Sequence, residues 1–164
     1  MTVSLLFGSP GEFSEAEKIA FITLVYSGGE VRKSTLQDNV KTAVRLVFLR
    51  DAGDLIGVAA LKVPIHTYRD TLFAKTDVIL GDAEVPYEVG YILVKETARG
   101  QGFSNVLVGT ALDAAVGRGI FATSRSDNIP MHKTLARFGF EKVGKPFIGK
   151  DAKEKIQLFL RRGQ

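Results

Sequence analysis

The sequence predicts one α/β (α+β) domain, spanning residues 1–164, with about seven strands and about four helices. Segments with apolar residues at every second position alternate with segments in which apolar residues recur at helical spacing. Their order is uneven, β-α-α-β-β-β-α-β-α-β-β, and no repeat or linker interrupts it. The length of 164 residues, 45% of them hydrophobic and 24% charged, is normal for one globular domain with one core.

The composition excludes several kinds of site. The chain has no cysteine and only two histidines, His66 and His132, which excludes disulfides, thiolate or multi-histidine metal sites and a cysteine nucleophile. We therefore expect no metal. The N-terminus lacks the features of a signal peptide, and no apolar run approaches the ~20 residues of a membrane span. These observations predict a cytoplasmic protein without a membrane partner.

The beginning of the chain predicts a strand and a helix. Residues 2–7 are apolar and partly β-branched, as in a short strand. Ser14 and Glu17 form a capping box, in which the serine oxygen accepts a backbone N–H and the glutamate reaches back. The helix that follows runs through about residue 26, where Gly28-Gly29 end it.

A second capping box, at residues 34–37, predicts another helix, and a hairpin comes after it. The apolar positions of this helix follow helical spacing: Leu36, Val40 and Ala43. Residues 44–49 and 55–63 are apolar stretches on either side of a turn, so they predict two paired strands.

The middle of the chain contains a long segment without a clear period, residues 64–86. We expect a loop, or a loop with one short element, and loops of this length are often functional. Residues 87–94 follow as an apolar strand with few charges. A strand of that kind is buried on both faces, so we expect it near the centre of the sheet.

A helix beginning at Phe103 is predicted next, and Gly117 and Gly119 end it. One face of this helix is predicted to be buried: Phe103, Val106, Leu107, Thr110, Ala111, Ala114 and Ala115. A short strand at residues 120–124 follows.

The end of the chain predicts one more helix and two strands. Asp127 or Asn128 caps the helix, and Gly139 closes it. The residues expected on its buried side are Met131, Leu135 and Phe138. Residues 140–147 and 155–162 complete the set of seven strands.

The segment Arg99-Gly100-Gln101-Gly102-Phe103-Ser104 carries the strongest chemical signal, because a glycine-rich loop here joins a strand to a helix. Glycines permit close approach of backbone N–H groups to an anion, the helix N-terminus is electropositive, and Arg99 adds charged donors. A diphosphate is the natural ligand. The loop lacks the Gly-Lys-Ser/Thr ending of a P-loop, and Asn105 stands where a dinucleotide fingerprint needs glycine. Taken alone, the loop is also compatible with a simple tight turn.

These residues resemble the pyrophosphate loop of the GNAT acyltransferases, Arg/Gln-x-x-Gly-x-Gly/Ala. Val94 stands where the family's strand ends, and Asn128 followed by Gly139-Phe140 is similar to the family's second motif in order and spacing. The resemblance extends over nearly the whole chain. It implies a mixed, mostly antiparallel central sheet, and an N-acyltransferase that uses acetyl-CoA or another acyl-CoA as co-substrate.

The resemblance also implies particular roles for residues of this sequence. The backbone of Ile92, Leu93 and Val94 would bind the pantetheine arm, and the loop from Arg99 to Ser104 would bind the pyrophosphate. Asn128 belongs to the second cofactor motif. The acceptor, usually an amine, would attack the thioester directly, with the protein supplying position, a base and donors for the developing oxyanion.

Two residues depart from the family's pattern. Ser104 replaces Gly or Ala, a small change that adds a hydroxyl donor. Leu135 stands where many members carry a tyrosine that protonates the leaving thiolate, and leucine cannot donate a proton. Either the thiolate leaves unassisted, or another group serves, or the protein binds acyl-CoA without efficient turnover. His132, one helical turn away, is a candidate acid, although an exposed histidine without a mechanism is the preferred interpretation.

Glu88 is the candidate catalytic base, because family members often place a base on this strand and a carboxylate in an apolar strand is expensive to bury unpaired. Pairing with a lysine or arginine is the competing interpretation. Tyr91 is expected to pack in the core. The segment containing His66, Tyr68 and Arg69 is a candidate for gripping the acceptor, with ordinary loop polarity as the alternative.

The partners implied are a small-molecule or protein amine, and the sequence is compatible with a homodimer. A net charge of +4 also fits phosphate or nucleic acid, which includes an aminoacyl-tRNA as acceptor. The basic residues near the C-terminus lack the aromatic interleaving of a base-stacking surface, so nucleic acid is not favoured. They are Lys142, Lys145, Lys150, Lys153, Lys155, Arg161 and Arg162, interspersed with Glu141, Asp151 and Glu154. A non-catalytic acyl-CoA-binding module is the remaining alternative.

Overall fold

The structure, a computed structural model, describes residues 2–29, 31–149 and 153–164. Lys150 and Asp151, both in the basic segment noted above, lie outside the described residues. The predicted sheet of about seven strands is confirmed, with the strand order β1-β2-β3-β4-β5-β7-β6. The strands are β1 Val3–Gly8, β2 Arg45–Asp51, β3 Asp54–Lys62, β4 Tyr87–Val94, β5 Ile120–Arg125, β6 Glu141–Ile148 and β7 Lys155–Arg161.

The sheet is mixed, as the family resemblance implied. Four neighbouring pairs are antiparallel: β1 with β2, β2 with β3, β5 with β7, and β6 with β7. Strand β4 pairs with β5 in parallel, where Tyr87 lies opposite Ile120 and Glu88 opposite Phe121. Strand β4 is the fourth of seven in the order, which confirms the central position predicted from its apolar character.

Five α-helices lie within the described ranges, one more than the four that the sequence predicted. They are α1 Glu15–Ser27, α2 Lys33–Thr42, α3 His66–Thr76, α4 Phe103–Leu112 and α5 Ile129–Arg137. The additional helix, α3, occupies the segment expected to be mainly loop. Its buried positions recur at helical spacing, but two of the four are polar and conceal the apolar period. Those positions are Arg69, Leu72, Phe73 and Thr76.

The first capping box is confirmed and the second is wrong. The Glu17 N–H donates to Ser14 Oγ at 3.1 Å, and the Ser14 N–H donates to Glu17 Oε1 at 3.0 Å. Helix α2 begins one residue before the predicted box, so Ser34 lies inside its first turn and no side chain caps it. The N–H of Leu36 donates to the Arg32 carbonyl at 3.0 Å instead.

The described residues group into two compact units. The first comprises Met1–Val63 and Val89–Val116, and its core surrounds Phe21 and Phe48, whose ring centroids are 5.4 Å apart. Helix α4 packs on β2 and β3 in this unit. The predicted buried face of α4 is partly wrong, since Val106 is 45% exposed. Its buried residues are Leu107, Val108, Ala111 and Leu112.

The second unit comprises Pro64–Glu88 and Gly117–Gln164, with a core around Phe73 and Phe121 at 5.3 Å. Gly119 was predicted only to end a helix. It is required because a Cβ there would lie 2.0 Å from the Glu84 carbonyl oxygen. The chain reverses earlier, at Val116 and Gly117, which both have positive φ.

The buried side of α5 differs from the prediction. Leu135 is fully buried, as expected, while Met131 and Phe138 are only half-buried. His132 is 9% exposed, so its interpretation as an exposed histidine is wrong. Its ring lies 4.9 Å from that of Phe159, and its Nε2 lies 2.9 Å from the Arg125 carbonyl oxygen. A histidine with its polar atom paired packs as part of the core.

Candidate functional site

The loop after β4 has the backbone geometry that its glycines predicted. A short 3₁₀ turn, Glu96–Ala98, follows the strand, and Arg99 is extended. Gly100 and Gly102 have φ of 80° and 79°, in the left-handed region that favours glycine. Helix α4 begins immediately after Gly102. The exposed loop therefore leads directly into the N-terminus of α4.

That N-terminus suits an anion. The first backbone N–H groups of a helix have no acceptor within it and lie at the positive end of the helix dipole. In α4 these include the N–H groups of Phe103 and Ser104, both half-buried residues, whereas Asn105 N–H donates to the Gly102 carbonyl at 3.2 Å. A phosphate oxygen is the typical acceptor at such a position.

Arg99 is fastened to the end of β4. Its Nε donates to the Val94 carbonyl at 3.1 Å, so one of its five N–H groups holds the side chain in place. The residue as a whole is exposed, as are Gly100, Gln101 and Gly102. The Nη groups supply four further donors for an anion beside the loop.

Asn105, which in the sequence stood out only as the residue in place of a fingerprint glycine, lies in the first turn of α4. Its Oδ1 is buried and has no hydrogen-bond partner among the described residues. A buried acceptor without a donor is unusual, and an ordered water is its ordinary partner. The only sequence signal for it was its position in the first turn of the helix after the loop.

Strand β4 contains a reversal of the backbone that the sequence did not reveal. Tyr91 has φ of 53°, a conformation that is rare for an aromatic residue within a strand. It packs against the first unit's core, as predicted, and its hydroxyl accepts a hydrogen bond from Asn39 Nδ2 at 2.8 Å. Lys62 Nζ lies 4.1 Å from the centre of its ring. These contacts hold the kink immediately before Ile92.

The remaining residues of that strand lie between the kink and the loop. Ile92 and Leu93 are half-buried and Val94 is buried. The N–H of Lys95 donates to the Ile56 carbonyl at 2.8 Å, which fixes the end of β4 against β3 within the first unit. The strand end and the loop it carries are therefore well anchored.

Glu88 lies on β4 within the second unit and is 3% exposed. The hydroxyl of Tyr68 donates to its Oε2 at 2.7 Å. This distance is typical of a strong hydrogen bond to a carboxylate. From the sequence, Tyr68 was a candidate only for gripping the acceptor, because the helix that carries it was not predicted.

Arg69 has a structural role instead of the acceptor contact considered for it. It is 2% exposed, its Nε lies 2.7 Å from Asp82 Oδ1, and its Nη2 donates to the Gly81 carbonyl at 2.8 Å. Its Nη1 donates to the Val85 carbonyl. His66 Nδ1 lies 2.8 Å from the other oxygen of Asp82. These contacts fasten the start of α3 to the segment that leads into β4.

Asn128 and Leu135 both lie in the second unit. Asn128 Oδ1 accepts the N–H of Met131 at 3.2 Å, which confirms Asn128 as the cap of α5. Leu135 packs in the core with 0% exposure.

Residues 2–29, 31–149 and 153–164 contain no helix long and apolar enough to cross a membrane.

The sequence model that describes the Acetyltransferase (GNAT) family matches residues 14–140, which is well over half of the sequence. The chain belongs to the GNAT acetyltransferase family. The matched range contains every residue to which the family resemblance gave a role, from Glu88 to Asn128. A comparison with curated protein sequences found no match.

Solved structures share the GNAT fold at low sequence identity. Escherichia coli ElaA is 15% identical with a TM-score of 0.70, over 98% of this chain and 99% of that one. An acyl-CoA N-acyltransferase from Pseudomonas aeruginosa is 14% identical with a TM-score of 0.66, over 98% and 99%. Arabidopsis thaliana NAA60, solved in complex with acetyl-CoA, is 13% identical with a TM-score of 0.70, over 98% of each chain.

Proposed function

We propose that this chain is an acyl-CoA-dependent N-acyltransferase that transfers acetyl from acetyl-CoA to a primary amine by direct attack. The observation that carries the proposal is the loop from Arg99 to Ser104, whose two left-handed glycines lead into the free N-terminus of α4. Membership of the GNAT family supports it. Structures with acetyl-CoA bound, such as that of Arabidopsis thaliana NAA60, share the fold.

The residues present fit the diphosphate of CoA. Backbone N–H groups from Gln101 to Ser104 and the guanidinium of Arg99 would hold it, in the way that helix N-termini hold phosphates. The space beside Gly102 also fits, because a Cβ added there would meet no described atom closer than Asn105 Nδ2 at 3.9 Å, which leaves room for a phosphate against the backbone. We assign the pantetheine arm to the backbone of Ile92, Leu93 and Val94, and we keep Asn128 as a further cofactor contact.

The co-substrate supplies an acetyl group activated as a thioester. In the transfer the amine nitrogen bonds to the carbonyl carbon, the carbon–sulfur bond breaks, and the amine loses a proton. We assign Glu88 to receive that proton. Its burial supports the assignment, because a carboxylate withdrawn from water is kept in proteins mostly where it is paired or used.

No protein acid is assigned to the departing thiolate. Leu135 cannot donate a proton, and it is fully buried. His132 is nearly buried, and its Nε2 already pairs with the Arg125 carbonyl. The thiolate therefore takes its proton from solvent, or receives by way of Glu88 the proton that the amine released. A thiolate is a good leaving group, so transfer does not require an acid at this position.

A non-catalytic acyl-CoA-binding module is the second candidate, and the buried Leu135 is the observation that favours it. A nucleic-acid acceptor has less support. Lys145, one of the basic residues on β6, pairs with Asp77 at 3.0 Å, and Arg125 pairs with Glu154 at 2.7 Å. Charges neutralised within the chain attract phosphates less strongly.

Thiol release from acetyl-CoA in the presence of a panel of amines tests the proposal. The panel contains spermidine, free amino acids, an aminosugar and a peptide with a free N-terminus. Transfer predicts release that depends on one class of amine and yields an N-acetylated product by mass spectrometry. Slow release that no amine accelerates, together with tight CoA binding, would favour the binding module.

A further inference from the structure

The contact between Tyr68 and Glu88 points to a residue that serves the reaction without touching the substrate. We propose that Tyr68 is a positioning residue, which fixes the orientation of the Glu88 carboxylate so that it receives the amine proton. The inference rests on the proposed function, since it requires Glu88 to be the base.

The geometry of the contact fits this role. The hydroxyl of Tyr68 donates a hydrogen bond to Glu88 Oε2 at 2.7 Å. Glu88 is 3% exposed, so little water can orient its carboxylate, whereas Tyr68 is 40% exposed. A hydrogen bond from a neutral donor to a buried carboxylate is strong and directional. During transfer the proton moves from the amine to Glu88, and Tyr68 keeps its own.

Tyr68 is itself held in place by its neighbour in sequence. Arg69 bonds to the carbonyls of Gly81 and Val85 and to Asp82, all in the segment just before β4. Its guanidinium also stacks 4.5 Å above the ring of Phe73. Glu88 follows this same segment in the chain. Helix α3, which carries Tyr68, and the candidate base are therefore both attached to the residues just before β4, within the second unit. Such support from surrounding residues is what keeps a reacting group in its productive orientation.

A purely structural role for the hydrogen bond is the competing explanation, and a double-mutant cycle separates the two. The four proteins are the wild type, Tyr68→Phe, Glu88→Gln and the double mutant, assayed with acetyl-CoA and the most active amine of the panel above. Glutamine keeps the shape of the side chain and an oxygen for Tyr68. We expect Tyr68→Phe to lower kcat about ten-fold while leaving KM for acetyl-CoA unchanged.

In the Glu88→Gln background the same change should lower kcat by less than about two-fold, since there is no base left to orient. Tyr87→Phe is the matched control, because it removes a hydroxyl from the preceding residue, whose side chain points to the opposite face of the sheet. It should leave kcat unchanged.

The outcomes separate this inference from the proposed function. No amine-dependent release in the wild type would contradict the proposed function and with it the inference. Full activity in Glu88→Gln would overturn the inference and the role of Glu88, while leaving the proposed acetyl transfer in place. A large loss in Glu88→Gln with full activity in Tyr68→Phe would overturn the inference alone. Equal losses from Tyr68→Phe in both backgrounds would show that the hydrogen bond only stabilises the fold.

Discussion

The Nε of Arg99 donates to the carbonyl of Val94 at 3.1 Å, so the residue that opens the candidate cofactor loop is tied to the residue that closes its strand. One arginine thereby fixes the loop and supplies charge to it. Substitutions can compare these two functions of Arg99, the hydrogen bond to Val94 and the positive charge beside the loop, because lysine keeps the charge and alanine removes both.

Arg99→Ala should weaken CoA binding about ten-fold, because it removes charge-assisted donors to the diphosphate. Arg99→Lys should give a smaller loss, since lysine keeps the charge but not the fork of donors. Isothermal titration calorimetry measures both. Arg45→Ala is the control, because it removes another arginine-to-carbonyl bond, from Arg45 Nη1 to Thr110 at 2.9 Å. A loss of affinity in the control equal to that in Arg99→Ala would contradict the assignment.

Glu88→Gln should lower the rate of acetyl transfer by roughly the 10²–10⁴-fold that is typical of losing a general base. CoA affinity should remain nearly unchanged, because this side chain has no assigned contact with the cofactor. Steady-state thiol release and calorimetry provide the two measurements. Glu84→Gln serves as the matched control, because this nearby carboxylate is exposed and only accepts the N–H of Gly81 at 3.2 Å. Wild-type turnover in Glu88→Gln at every pH would remove Glu88 from the reaction.

Leu135→Tyr should destabilise the protein without raising its turnover. The leucine has 0% exposure, and adding a ring to a packed core typically costs about 1–3 kcal/mol. Thermal denaturation should show a Tm lower by several degrees. Thiol release, measured below that temperature, should be unchanged or lower. Faster turnover at unchanged Tm would show that the site lacks only an acid and that residue 135 faces the reacting groups.

Ser14→Ala should lower the stability of the fold by about 0.5–2 kcal/mol, because it removes the cap of α1. The backbone N–H of Ser14, which bonds to the Glu17 carboxylate, and to a smaller extent the Ser14 hydroxyl lower the pKa of Glu17 below its ordinary value of 4.5. A carboxyl with a depressed pKa stabilises the folded state above its unfolded pKa, and this contribution disappears as the pH falls through the folded pKa. Alanine keeps the backbone N–H of Ser14, so most of this pH dependence should remain in Ser14→Ala, whereas Glu17→Gln should remove it. Chemical denaturation at pH 7 and pH 3 measures both, and equal losses of pH dependence in the two variants would contradict this assignment.

Most of the fold could be predicted from local patterns. All seven strands were predicted because alternation and apolar runs depend on nearby residues. Ser14 was recognised as a cap, and Asn128 as one of two candidate caps, from single side chains. Helix α3 was missed because Arg69 and Thr76 occupy buried positions that normally hold apolar residues. Their burial depends on partners elsewhere, such as the Val85 carbonyl, which no local pattern contains.

The features of the candidate site that depend on glycines and charge could be predicted from the sequence. The features that depend on tertiary contacts could not. The positive φ of Gly100 and Gly102 follows from their sequence context. The left-handed Tyr91 and the bond from Tyr68 to Glu88 do not, because each depends on side chains brought together by folding. His132 was judged by its helix position alone, whereas its burial depends on Phe159, which lies in strand β7.

The binding of CoA to Gly102→Val tests the central claim most directly. A Cβ added at Gly102 would not clash, because the nearest described atom, Asn105 Nδ2, would lie 3.9 Å from it. A β-branched residue is strained at its φ of 79°, and it would project from the loop where the backbone must meet phosphate. Gly117→Val is the matched control, because Gly117 has φ of 76°, open space around it and a position beyond the C-terminal end of α4. Calorimetry should show no measurable CoA binding in Gly102→Val and wild-type affinity in Gly117→Val. Wild-type affinity in both folded variants would contradict the assignment of this loop to the cofactor.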